Sequence, residues 1–135
     1  MALPTYYAGY DEAADGNNSL SLICGATSLA TSQYFAVSLG SAGLVVSTAG
    51  ANCIGILQDN PIVGQAAQVV FNGVSKAAIS ASQTLSAGSL LEVDTGGTLK
   101  LHASGTIVGM ALQPLTSIAA VTIQPVLLLK SNATF

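Results

Sequence analysis

Ser89-Leu90-Leu91-Glu92-Val93-Asp94-Thr95-Gly96-Gly97-Thr98-Leu99-Lys100-Leu101-His102 is the stretch that decides the fold class. Asp94 and the paired Gly96 and Gly97 supply the positive φ angles of a tight hairpin, which most side chains resist. Leu90, Leu91 and Val93 then face Leu99 and Leu101 across two antiparallel strands. Outward from this hairpin, β-branched and apolar segments recur at intervals of roughly ten residues, cut by Gly, Asn, Asp and Pro, the pattern of a sandwich or barrel. Strands are predicted over 34–39, 44–47, 53–58, 67–72, 89–93, 98–102, 106–112 and 118–129. No window beyond residue 34 keeps an amphipathic helical stripe free of Gly or Pro, and only 75–82 suits a short helical turn. The expected fold is all-β, a small β-barrel or β-sandwich of short strands with an extended N-terminal arm.

Two breaks carry particular chemistry. In Asp59-Asn60-Pro61 the proline cannot donate a ladder hydrogen bond and pushes Asn60 toward extended geometry, so the chain turns there and returns through Gly64. Ile54-Gly55-Ile56-Leu57-Gln58 before Pro61 is echoed by Val108-Gly109-Met110 through Gln113 before Pro114. The echo reads either as a duplicated hairpin or as a chance likeness of short apolar motifs. In both cases Gly55 and Gly109 mark a close backbone approach or a bulge.

The composition is poor in charge. Only 7% of the 135 residues are Asp, Glu, Lys or Arg, arginine is absent, and half are hydrophobic, against about 25% charged in ordinary soluble domains. Such a surface is explained by a membrane segment or by burial against other subunits. The most apolar stretch, 118–129, is interrupted by Thr122, Gln124 and Pro125 and is too short for a helix of about 20 residues to cross a bilayer. The first basic residue is Lys76, so no basic region suits a secretory signal, and synthesis in the cytoplasm is expected. Three lysines and a net charge of −3 argue against nucleic acid as a partner. Assembly with other subunits is the reading that remains, with a merely low-charge secreted domain as the alternative.

The expected organisation is an N-terminal arm and lead-in over 1–33, a β domain over 34–129 and a C-terminal tail over 130–135. Tyr6, Tyr7 and Tyr10 sit in the arm, where each ring offers a rigid apolar face and a hydroxyl to a capsid or subunit interface; the alternative is a frayed tail. Cys24 and Cys53 form no CxxC pair and read as two buried thiols, with a disulfide between them as the other possibility.

Taken together, Ile54-Gly55-Ile56-Leu57-Gln58-Asp59-Asn60-Pro61, then Gly64, then Val69-Val70-Phe71-Asn72-Gly73-Val74 form a recognisable series. It continues through Leu85-Ser86-Ala87-Gly88-Ser89-Leu90-Leu91, Asp94-Thr95-Gly96-Gly97, Ile107-Val108-Gly109-Met110-Ala111-Leu112 and Val126-Leu127-Leu128-Leu129. Over 34–129 the chain resembles the capsid cement, or head decoration, proteins of tailed bacteriophages. That resemblance implies a β-rich virion protein on the outer capsid surface, with the major capsid protein as partner and a homo-oligomer, a trimer, as the assembled form. A closed ring of this kind needs a heterologous interface. The competing expectation is a ligand-binding β-sandwich module of a phage fibre or tail, which requires exposed aromatic and polar residues around a pocket.

Catalytic signatures are missing from the sequence. His102 alternates out of phase with Leu99 and Leu101 and shares a strand face with Lys100, the pattern of a rim histidine without a matched carboxylate. Glu92 and Asp94 share one face at i, i+2, but two carboxylates are too few for a calcium cage, and a solvated edge is expected. Gly40, Gly43, Gly50 and Gly55 lead into no helix and no Lys-Ser/Thr ending, so no phosphate loop is formed. Asn132-Ala133-Thr134 matches a glycosylation acceptor that has meaning only in a secreted protein. No cofactor or metal is expected.

Overall fold

The computed structural model describes residues 18–129. The fold is all-β, with ten strands: β1 (Ser19–Ile23), β2 (Ala36–Gly40), β3 (Gly43–Val46), β4 (Gly55–Leu57), β5 (Ala66–Val70), β6 (Gly73–Ile79), β7 (Leu90–Val93), β8 (Leu99–Leu101), β9 (Gly109–Ala111) and β10 (Thr122–Leu128). Strands β1 to β5 form one sheet in the order β1-β5-β4-β2-β3, and β6 to β10 close into a barrel in the order β10-β6-β8-β7-β9. Tyr6, Tyr7, Tyr10 and the tail over 130–135 lie outside the described residues.

The two halves are copies of one topology. In the first, Ala36 pairs with Ile56 and Val37 with Gly55; in the second, Leu90 pairs with Met110 and Leu91 with Gly109. Ile56 continues to Val70 and Val70 to Ser19, as Met110 continues to Leu127 and Leu127 to Val74. The parallel bridge that brings β1 to β3, Cys24 with Leu44, has its counterpart in the parallel pair Ile79 with Leu99 that closes the barrel. Loop hydrogen bonds repeat as well: Leu29 N–H donates to Pro61 O at 2.9 Å and Leu85 N–H to Leu115 O at 2.8 Å, the latter with a return bond from Leu115 N–H to Leu85 O at 2.9 Å. The echo around Gly55 and Gly109 is therefore one trace of a duplication that spans the described chain, with each repeat a supersecondary unit that buries a face against its neighbour.

Each strand shows one face to its own unit's interior. In the first unit Val37, Leu44, Leu57, Ala67 and Val69 form a core with Cys24 and Leu29. Burying a Leu side chain fully contributes about 1.5–3 kcal/mol, and Leu29, buried in this core, ties down the segment that follows β1. Ala36 and Ile56, which alternate with Val37 and Leu57, belong to the core of the second unit, together with Ile79, Leu91, Val93 and Leu99. The outer face of the first unit is thus part of the second unit's interior.

Two elements differ from the sequence expectation. Residues 75–82 contain no helical turn: β6 pairs with β10 from Gly73 to Ile79. Its Lys76-Ala77-Ala78 run reads as helical by propensity, but seven residues of ladder and the burial of Ala77, Ala78 and Ile79 outweigh a propensity difference of tenths of a kcal/mol per residue. β1 was missed because Ser-Leu-Ser-Leu-Ile is too brief to separate from a loop; its pairing with β5 over all five residues is a long-range contact.

Candidate functional site

The residues expected to carry turns and close approaches fall into three groups. Gly64, Gly73, Gly88, Gly96 and Gly97 all have positive φ, between 82° and 93°. Gly96 and Gly97 form a 3-10 turn, Thr95–Gly97, in which the Thr95 N–H donates to Asp94 Oδ1 at 2.8 Å. That turn sets the register Leu91 with Leu101 and Val93 with Leu99. Leu90 departs from the expected hairpin, pairing with Met110 on the other side of β7. Gly55 and Gly109 are close approaches: a Cβ on Gly55 would fall on the Val70 carbonyl, and one on Gly109 would lie 2.7 Å from Val126 Cγ1. Pro61 is buried and its carbonyl accepts from Leu29 N–H.

Glu92 overturns the expected solvated edge. Its side chain is 2% exposed, and its carboxylate accepts hydrogen bonds from Ala103 N–H at 2.9 Å and from Gly105 N–H. Burial alone would raise its pKa, but the Ala103 and Gly105 N–H groups, Lys100 and the Ser104 N–H together hold the carboxyl below its ordinary value. Lys100 Nζ lies 3.8 Å from Oε1. His102 closes the same loop, with Nε2 2.9 Å from Gly105 O. The loop is stapled to the first unit, because Gly50 N–H donates to Val93 O and Thr106 N–H to Gly50 O. Glu92 is thus a buried anchor for a loop that joins the two units. Asp94 lies separately, its pKa lowered chiefly by the Ser80 hydroxyl 2.6 Å away.

Cys24 and Cys53 are both free thiols. Cys24 is buried, 3.3 Å from Thr27 O, and burial pushes the Cys53 thiol up to about 11. No cluster of three or more His, Cys, Asp or Glu able to hold a metal occurs among the described residues. A surface dent of about 330 Å³ is lined by Asp59, Asn60, Pro61, Gln65 and Ala66. It has no aromatic wall, and Asp59 already accepts from Gln68 N–H at 3.3 Å.

The surface with the clearest capacity to bind is apolar. Val74, Leu127, Met110 and Leu90 form one lateral row across β6, β10, β9 and β7. Val74 is 61% exposed and Leu90 37%, while Leu127 and Met110 are half-buried. Leu112 and Ile123, on the same outward side of β9 and β10, are exposed too. Lys76, two residues along β6 from Val74, takes the same side of its strand, as do Glu92 on β7 and its cross-strand partner Lys100 on β8. An apolar row of this kind is the chemistry of a protein contact. It was hidden in the sequence because its four members come from strands far apart in the chain; the usable signal was that each occupies an out-of-phase position on its strand.

No protein-family model matches the chain, and no curated protein matches it in sequence. Among solved structures, the fold is similar to that of the N base of the head fiber gp8.5 of bacteriophage phi29. The TM-score is 0.59 at 12% identity, covering 87% of this chain and 99% of that one.

Proposed function

We propose that this chain is a non-enzymatic structural protein of a phage virion that seats on the outer surface of the assembled head and cements major capsid subunits. The observation that carries the reading is the partly exposed apolar row Val74, Leu127, Met110 and Leu90 on a protein with only 7% charged residues, a surface suited to being covered within an assembly, by the shell or by another copy. Covering such a face yields about 25 cal/mol per Å² before the costs of association, and few ions have to be desolvated. The fold likeness to a phage head fiber base supports a virion role. Tyr6, Tyr7 and Tyr10 supply apolar contacts to the capsid or to a neighbouring subunit in this reading.

The test is addition of the purified chain to purified phage heads that lack it. Saturable co-sedimentation with a rise in the heads' thermal or mechanical resistance supports cementing. Failure to bind removes the reading.

A second reading is favoured by the same likeness: a mounting module of a fibre or tail. It predicts binding to heads with no change in their resistance, because a mount need hold only itself. A saturable glycan hit in a ligand screen also favours this reading over cementing.

A further inference from the structure

The duplication makes the exposed row comparable with a row that is already covered. Its counterpart in the first unit is Ser19, Val70, Ile56 and Ala36, by identical pairing. Ile56 and Ala36 are fully buried in the core of the second unit, and Val70 packs against it. The β2-β4-β5 face of the first unit is therefore the inserting side of the unit-to-unit junction. Its counterpart, the β7-β9-β10 face of the second unit, carries Leu90 at 37% exposure with Met110 and Leu127 half-buried, and among the described residues no further unit inserts there.

The receiving side shows the complementary difference. On the second unit it includes β6, where Ser75 accepts a 2.9 Å hydrogen bond from Gln58 Nε2 and Ala78 N–H donates to Tyr34 O. Ser75 is 5% exposed and Ala77 fully buried. The register places Leu20 and Leu22 of β1 at the matching positions of the first unit, since Ser19 pairs with Val70 as Val74 pairs with Leu127. Leu20 is 44% exposed and Leu22 is half-buried at the edge of the first unit's own core, and both are larger and more apolar than the serine and alanine at the matching positions. Among the described residues, an inserting face without a receiver and a receiving strand without an insert stand on the same molecule.

We infer that a second copy of this chain continues the internal junction, with the Leu90-Met110-Leu127 face of one copy docking on the Leu20-Leu22 side of β1 in the next. The occupant is another copy because the interface to be made repeats one that the chain makes within itself. The contact is heterologous, so each copy uses both surfaces and the assembly grows head to tail until the rotation closes it into a ring. This inference deepens the assembly reading and rests on it for its purpose. Binding to heads is scored separately, so a monomer that still binds heads would overturn this inference and leave the proposed function standing.

The experiment is sedimentation of the full chain and of two single variants, Met110→Lys and Leu20→Lys, alone and mixed. The wild-type chain is expected to form a discrete oligomer, and each variant alone to be a monomer, with self-association weakened at least tenfold. Mixed in equal amounts, the two variants are expected to form pairs of twice the chain mass and nothing larger, because the intact β9 face of one fits the intact β1 of the other. A wild-type monomer, a variant that assembles like wild type, or a mixture that stays monomeric would each overturn the inference. Circular dichroism and the melting midpoint verify folding of each variant. Should either unfold, cysteines placed as Leu20→Cys and Met110→Cys in one chain read the same contact: an oxidised peptide joining these positions between copies supports it, and absence of that cross-link overturns it.

Discussion

Tyr34 and Gly88 occupy the same position in the two units, and both hold a positive φ, 69° and 90°. Each donates its backbone N–H at 2.7 Å to the strand of its own unit, Tyr34 to Leu57 O and Gly88 to Ala111 O. Glycine holds this conformation without strain, whereas a tyrosine does so at a cost of about 1–2 kcal/mol. The compensation is visible in the first unit: the Tyr34 ring packs against the second unit's core, with Lys76 Nζ 6.0 Å from its centroid.

Exchange of these residues separates strain from packing. Tyr34→Gly is expected to lower stability by about 1–3 kcal/mol despite relieving the backbone, because ring burial outweighs the strain. Gly88→Ala meets no atom within 4 Å of its Cβ, so its loss is confined to backbone strain, about 1 kcal/mol. Denaturant titration of both variants checks the order.

The two close-approach glycines are expected to differ in severity. Gly55→Ala drives a methyl onto the Val70 carbonyl, a backbone atom that cannot yield without parting β4 from β5, and a loss of about 3 kcal/mol or more is expected. Gly109→Ala meets Val126 Cγ1 first, at 2.7 Å, and Leu127 O at 3.1 Å. A side chain can give way in part, and a loss of about 1–2 kcal/mol is expected. Melting midpoints ranked Gly55→Ala below Gly109→Ala would agree; the reverse order would refute the distinction.

Glu92 predicts an acid limb in stability. Its folded pKa is depressed, so its contribution is complete above the unfolded value of about 4.3 and is lost as pH falls through the folded value. The wild-type melting midpoint should drop in acid, and the gap between wild type and Glu92→Gln should narrow over that window. Glu92→Ala leaves the Ala103 and Gly105 N–H groups without their acceptor, and a loss of about 2–3 kcal/mol at neutral pH is expected. Amide exchange at 103–105 should accelerate in the same variant.

The thiols offer a probe of compactness. With Cys24 buried and the Cys53 pKa raised to about 11, the native chain should take up an alkylating reagent slowly at pH 8, since the thiolate is the reactive form. Two additions per chain are expected at once in denaturant. Rapid native labelling of Cys53 would show that its enclosure opens.

The local grammar of this protein was legible in its sequence: the turn chemistry of Asp94 to Gly97, the strand pairs around it, the tight glycines and the all-β class all follow from φ preferences and alternation over a few residues. Glu92 and β6 were misread because alternation tells which side of a strand a residue takes and not what lies over that side; the loop over Glu92 and the β10 ladder beside 75–82 come from distant parts of the chain. The apolar row from Val74 to Leu90 and its covered twin from Ser19 to Ala36 were likewise beyond local reading, since each joins four strands through register. Periodicity is fixed between neighbours in the chain, whereas a surface, an interface and a buried charge are properties of what the folded chain brings alongside. Only the tertiary structure could therefore distinguish two copies of one motif by which of their equal faces had found a partner.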